Sequence, residues 1–315
     1  MTTAPPLMQP LSLRLLLDEA VRHARRNFRR VYPSVAIPMA LVGGALPLVQ
    51  AVLAGNMLVP GRGAPSPQAA FQAMGAAAIA GFVVGALYSL GYGAMLFGAV
   101  NVLATREVSM ARAWLFTLRP RVLGTLLLKT IAVGFGFALC VLPGIYLGLI
   151  FSLTMPVMVE EGLFGTSAMR RSAELARYNP LRELEADPRL KVFLIVFVGM
   201  LLGYVASLVV QLPVIAIHQF MLFRDLAGGH RVDPVVMMWR LTWLQVPSTI
   251  LSMLIQTAVY LYMSFGIALL FFDIKRRKEG LDLEVAIADV MASRGVVVAE
   301  SAPPPSIGSP EKPQR

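Results

Sequence analysis

The chain has 315 residues, of which 57% are hydrophobic and 15% charged, with a formal net charge of +10. That is more apolar material than a soluble fold of this length buries, and a mean hydropathy of +0.67 places the chain in the membrane class. The single cysteine, Cys140, excludes an internal disulfide and a cysteine-rich metal framework.

Along the chain, the first apolar stretch is short, is interrupted by Arg14 and precedes an arginine cluster. This is the reverse of the order in a cleavable signal. Residues 12–30 read as an amphipathic helix capped by Ser12. Leu13, Leu16, Leu17, Ala20, Val21, Ala24 and Phe28 share one side, and Arg14, Asp18, Arg22, Arg25 and Arg29 the other. Such a helix lies in a membrane interface, apolar face in lipid and basic face toward head groups. The alternative is a helix packed on the rest of the protein.

Six apolar segments follow, at 34–54, 74–104, 122–142, 144–159, 192–217 and 246–272. A helix needs about 20 apolar residues to cross a hydrocarbon core of roughly 30 Å, so each is expected to span. The fourth is short. Only Leu142, Pro143 and Gly144 separate it from the third, which predicts a tight turn there. A two-helix hairpin across the bilayer and a re-entrant pair both fit that spacing. The chain is thus expected to be all-α, a polytopic bundle with six transmembrane helices and an amphipathic N-terminal interfacial helix.

Charge placement gives the orientation. With the N-terminus in the cytoplasm, the inside segments hold 23 of the 28 Lys and Arg residues. The outside loops hold four: Arg62, Arg224, Arg231 and Arg240. This bias puts both termini inside, and it accounts for the basic charge through an anionic membrane surface, without nucleic acid. The Gly- and Pro-rich loop at 55–73 should be irregular. The segment 218–245, with Met237, Met238, Trp239 and Trp243, should lie along the interface. Residues 294–315 have the composition of a disordered cytoplasmic tail, which leaves 1–293 as the integral-membrane domain.

The remaining Lys residue, Lys129, is the one formal charge well inside a span, and an ionisable group there is a functional candidate by default. It lies about two turns from the boundary near Arg121, so its stem could also carry the ammonium back to the head groups. Gln211, Gln256 and Asn101 are embedded polar groups suited to bonds between helices. Small residues spaced for close helix packing occur at Gly81 and Gly85, Gly144 and Gly148, and Gly199 and Gly203. His218, Asp225, His230 and Asp233 share one loop, but their spacing matches no compact metal site, and no cofactor motif is present.

Two adjacent carboxylates, Glu160 and Glu161, follow the fourth span, and two adjacent guanidiniums, Arg170 and Arg171, follow them. Paired carboxylates can divide acid and base work, yet neighbours on a helix point about 100° apart and converge poorly on one bond. Gly165, Thr166 and Ser167 supply a break and a cap, after which 168–178 reads as a short cytoplasmic helix with a basic face.

The run LPGIYLGLIFSLTMPVMVEEGLFGTSAMRRSAEL (142–175), with RRNFRRVYP after the amphipathic helix and FFDIKRRKEGLDLE (271–284) leaving the last span, resembles the membrane domain of bacterial glycerophosphoryl diester phosphodiesterases. It is similar also to the stand-alone bacterial membrane proteins related to that domain. The resemblance covers most of 11–285 and implies a location in the bacterial cytoplasmic membrane, among phospholipids. In that family hydrolysis belongs to a separate barrel with a His-Arg-type motif. Here the only His-Arg dipeptide is His230-Arg231, and about 40 residues follow the sixth span, against roughly 250 for a barrel. The expected role is therefore a non-enzymatic membrane module that organises lipids or partner proteins. A transporter or lipid flippase using Lys129, and a membrane-embedded lipid hydrolase using Glu160 or Glu161, are the alternatives.

Overall fold

The computed structural model describes residues 11–55, 67–178, 187–227 and 234–280. The chain divides into two compact units, Pro10–Ile274 and a second made of Met1–Gln9 with Lys275–Arg315, of which 275–280 are described. Among the described residues there are nine α-helices and no strand. Among them, six segments are long and apolar enough to cross a membrane.

Helix α1, Leu13–Gly55, is capped as expected: the Ser12 hydroxyl accepts from the Leu15 N–H at 3.3 Å. The amphipathic stretch is present as the opening turns of this one continuous helix, which runs on through Pro33, Pro38 and Pro47. A proline forfeits one hydrogen bond and bends a helix, a cost that long membrane helices accommodate. At 43 residues, or about 65 Å, α1 is roughly twice as long as a bilayer core is thick. Part of its apolar stripe packs on protein, with Leu16, Ala20 and Ala24 buried in the core, while Val21 and Phe28 stay exposed.

Helix α2, Pro67–Leu103, packs along α1, and a short helix α3, Met110–Thr117, follows its end. Pro120 opens α4, Pro120–Leu139, at a position where its missing N–H costs nothing. The turn into α5, Val141–Ile150, is not at Pro143-Gly144. It is a single extended residue, Cys140, with φ −172° and ψ 156°. Pro143 sits in the first turn of α5, where backbone N–H groups have no partner to lose. Gly144 lies under the Phe137 ring instead, and a Cβ on Gly136 would stand 3.0 Å from the Gly144 Cα. The glycines make the hairpin close, while the turn lies elsewhere.

The fourth span is interrupted after α5 by a turn at 151–153 and resumes as α6, Thr154–Glu160. Helix α7, Thr166–Ala176, then leads by residues outside the described set to α8, Pro188–Ala227, and α9, Pro234–Glu279. The amphiphilic segment 218–245 forms no separate interfacial helix: its described residues are the end of α8 and the start of α9. Backbone bonds within a continuing helix keep these turns in line, and Trp243 stays 66% exposed on the α9 surface. Of the loop expected to be irregular at 55–73, Gly55 ends α1 and 67–73 are instead the opening turns of α2, started by Pro67 at a position where its missing N–H costs nothing, while 56–66 and the tail at 294–315 lie outside the described residues.

The core gathers at one end of the bundle. There Leu16 of α1, Phe116 of α3, Met158 of α6, Leu175 of α7, Ile195 of α8 and Phe271 of α9 form one cluster. Ala20, Val31, Met95, Val100, Ala113, Leu261 and Phe265 form a second. By contrast α4 and α8 leave Leu127, Ile131, Phe135, Val205 and Val209 exposed, as lipid-facing helices do.

Candidate functional site

Two places gather polar groups. The first is the turn between α6 and α7. Glu160 closes α6 and Glu161 is its C-cap, so their side chains leave in different directions. Glu160 meets Arg106, beyond α2, at 3.0 Å, with the distance of an ion pair but without the alignment of a hydrogen bond. Glu161 takes a forked pair from Arg171, Nε to Oε2 at 2.9 Å and Nη2 to Oε1 at 3.2 Å. Arg170, one position earlier, points outward to Glu174 at 3.1 Å and is 84% exposed. The two carboxylates and the two arginines are therefore split among three separate pairs.

The backbone fixes this arrangement. Gly162 and Gly165 both have φ of +65°, which only glycine adopts cheaply, and they reverse the chain within a few residues. The Gly165 N–H donates to the Thr125 hydroxyl of α4 at 2.7 Å, and the Ser172 hydroxyl donates to the Ile150 carbonyl at 2.8 Å. Ser167 is no cap; its hydroxyl donates to the Phe164 carbonyl from inside α7. Ala168, Ser172, Leu175 and Ala176 are fully buried, so α7 is half embedded in the core and only its other face is open. Just before α8, burial opposes ionisation of Asp187, but hydrogen bonds and charge from Arg189 outweigh it and hold the carboxyl below its ordinary value.

The second place is inside the membrane-spanning part. A cavity of about 600 Å³ opens among α2, α4, α5, α8 and α9, and Lys129, midway along α4, lines it. Around it stand Tyr88, Tyr92, Tyr204 and Tyr260, with Ser89, Ser152, Ser207 and Gln256. The Tyr88 hydroxyl donates to the Met253 sulfur, Ser89 to the Gly85 carbonyl and Ser152 to the Leu149 carbonyl. Lys129, Tyr92, Tyr204, Ser207, Gln256 and Tyr260 have no hydrogen-bond partner among the described residues. Tyr92 and Tyr260 meet edge to face, with ring centroids 5.8 Å apart.

Sequence reasoning had singled out Lys129 and Gln256 separately, and the structure brings them to one cavity. It had passed over the tyrosines. Their signal was legible as pairs four residues apart, Tyr88 with Tyr92, Met200 with Tyr204 and Gln256 with Tyr260, which put polar aromatics on one face of each helix.

The other candidates scatter. Asn101 bonds to the Phe97 carbonyl of its own helix at 2.9 Å, and Gln211 is exposed. Gly199 and Gly203 receive Met263 and Gln256 of α9, whereas Gly85 faces open space. No group of three metal-ligating side chains occurs among the described residues. His230, Arg231 and Asp233 lie outside them, as does the Asp225 side chain, while the buried Nε2 of His218 has no partner.

Six apolar spans among the described residues, with apolar side chains of α4 and α8 left exposed, define a polytopic integral membrane protein. No protein-family model, curated protein or solved structure matches the chain.

Proposed function

We propose that the chain is a non-enzymatic membrane module that binds anionic phospholipid at its basic end. The observation that carries this reading is on α1. Arg25, Arg26, Arg29 and Arg30 are all exposed, and none has an ion-pair partner among the described residues. They stand just before the apolar run that begins near Pro33, at the depth where phosphate groups lie. Free guanidiniums are suited to forked contacts with phosphate. The bias of 23 basic residues against four supports a cytoplasmic location for this end and a bacterial cytoplasmic membrane, and the quoted motifs support kinship with the phosphodiesterase membrane domain. The hydrolase reading is weakened because Glu160 and Glu161 face different guanidiniums.

The test is to replace the four arginines by glutamine and extract the full chain in native lipid patches. Retained phosphatidylglycerol per protein should fall, and the difference should shrink in high salt, which screens surface charge. Undiminished retention in the variant counts against the proposal. A second reading, a transporter or lipid flippase, draws on Lys129 in the cavity; it expects Lys129→Met to abolish a lipid or solute flux that the parent shows in vesicles.

A further inference from the structure

We infer that the internal cavity is a binding site for the anionic headgroup of a membrane phospholipid, with the Lys129 ammonium set against its phosphate. This goes beyond the proposed function, because none of the α1 arginines lines the cavity.

Charge comes first. A lysine at mid-span without a carboxylate is costly unless something supplies the opposite charge. No acidic residue lines the cavity among the described residues, so an anionic occupant is the counter-charge that this site fits. The other unpartnered groups select the same chemistry. The ammonium offers three donors and no acceptor, the hydroxyls of Tyr92, Tyr204 and Tyr260 can each donate, and the Gln256 amide adds two N–H donors. Donors that line one cavity with a cation fit a group made of acceptor oxygens, which a phosphodiester is.

Shape and access decide between a lipid and a soluble anion. The remaining wall is apolar, with Val196, Met200, Met263 and Ile267, and it has nothing to offer free phosphate. Met200 and Tyr204 are 62% and 64% exposed on the flank of α8, a helix whose neighbouring surface is lipid-facing. The mouth therefore opens sideways into the hydrocarbon region. A volume of about 600 Å³ falls within the range of about 300–1,000 Å³ typical of small-molecule sites. It holds a headgroup and the first part of its chains, while the rest stays in the membrane.

Native mass spectrometry of the full chain, released from micelles supplied with phosphatidylglycerol or phosphatidylcholine, tests this. The variant lacking Arg25, Arg26, Arg29 and Arg30 should still hold one phosphatidylglycerol in preference to phosphatidylcholine. Adding Lys129→Met to it should weaken that binding about tenfold or more, the loss expected for a hydrogen bond to a charged group, and Lys129→Arg should restore most of it. Ser207→Trp, which fills the cavity and keeps Lys129, should abolish the bound lipid and carries the test if Lys129→Met does not fold. Unchanged binding in both Lys129→Met and Ser207→Trp would overturn the proposal. So would equal affinity for the two lipids, or displacement of the lipid by inorganic phosphate at similar concentration. Loss of the single bound lipid on removing the arginines alone would assign it to the basic end and likewise overturn the cavity.

Discussion

At the turn between α6 and α7 each charge that the sequence brought forward has a counter-charge within about a hydrogen bond's length, whereas in the cavity Lys129 faces tyrosines and a glutamine and no carboxylate. The first region is built for stability: Arg171 and Glu161 are 22% and 14% exposed, and the glycines and hydroxyls around them tie four helices together. The second leaves Lys129 and five of its polar neighbours without a partner among the described residues, which is what a site awaiting a ligand requires. The difference shows that formal charge in a membrane helix does not by itself identify function. What distinguishes the two regions is whether the protein supplies the partner.

Substitutions can break or sharpen this contrast. Glu161→Gln should have the largest effect, because it removes the carboxylate charge set against a mostly buried guanidinium and should cost about 2 kcal/mol or more of stability in a thermal melt of the purified protein. Pairing it with Arg171→Met should recover part of the loss; full additivity of the two would show that the pair is not coupled. Lys129→Met is expected to go the other way, leaving the lipid-free melting temperature unchanged or raising it, since it removes an unpaired embedded charge. A large fall in melting temperature would mean that Lys129 is structural. The smallest effect belongs to Arg170→Gln: its pair with Glu174 is exposed and screened, and the change should fall within about 0.5 kcal/mol.

Much of the architecture was legible from composition and hydropathy, because the length of an apolar run and the thickness of a bilayer are linked directly. The six spans, the Ser12 cap and the divergence of Glu160 from Glu161 all follow from local geometry. The continuity of α1 through Pro33 was not legible, since proline marks a weak point in a helix without saying whether packing on both sides will hold it together. Nor was the turn at Cys140: Pro143-Gly144 has turn chemistry, but proline is equally suited to the first turn of a helix, and tertiary packing of Gly144 on Phe137 chose between them. The cavity was least legible. Its wall is assembled from five helices, and one sequence does not say which faces of α2, α8 and α9 turn toward Lys129.

The most direct measurement is the shift in melting temperature that phosphatidylglycerol gives over phosphatidylcholine, taken in the background lacking Arg25, Arg26, Arg29 and Arg30. The lipid should raise the melting temperature of the chain with Lys129 and with Glu161→Gln, the latter from a lower starting point, because a ligand that binds only the folded state stabilises it. With Lys129→Met the rise should vanish while the lipid-free value stays. An equal rise with and without Lys129 would contradict the division of this protein into a charge-matched end and a cavity that keeps its charge for a lipid.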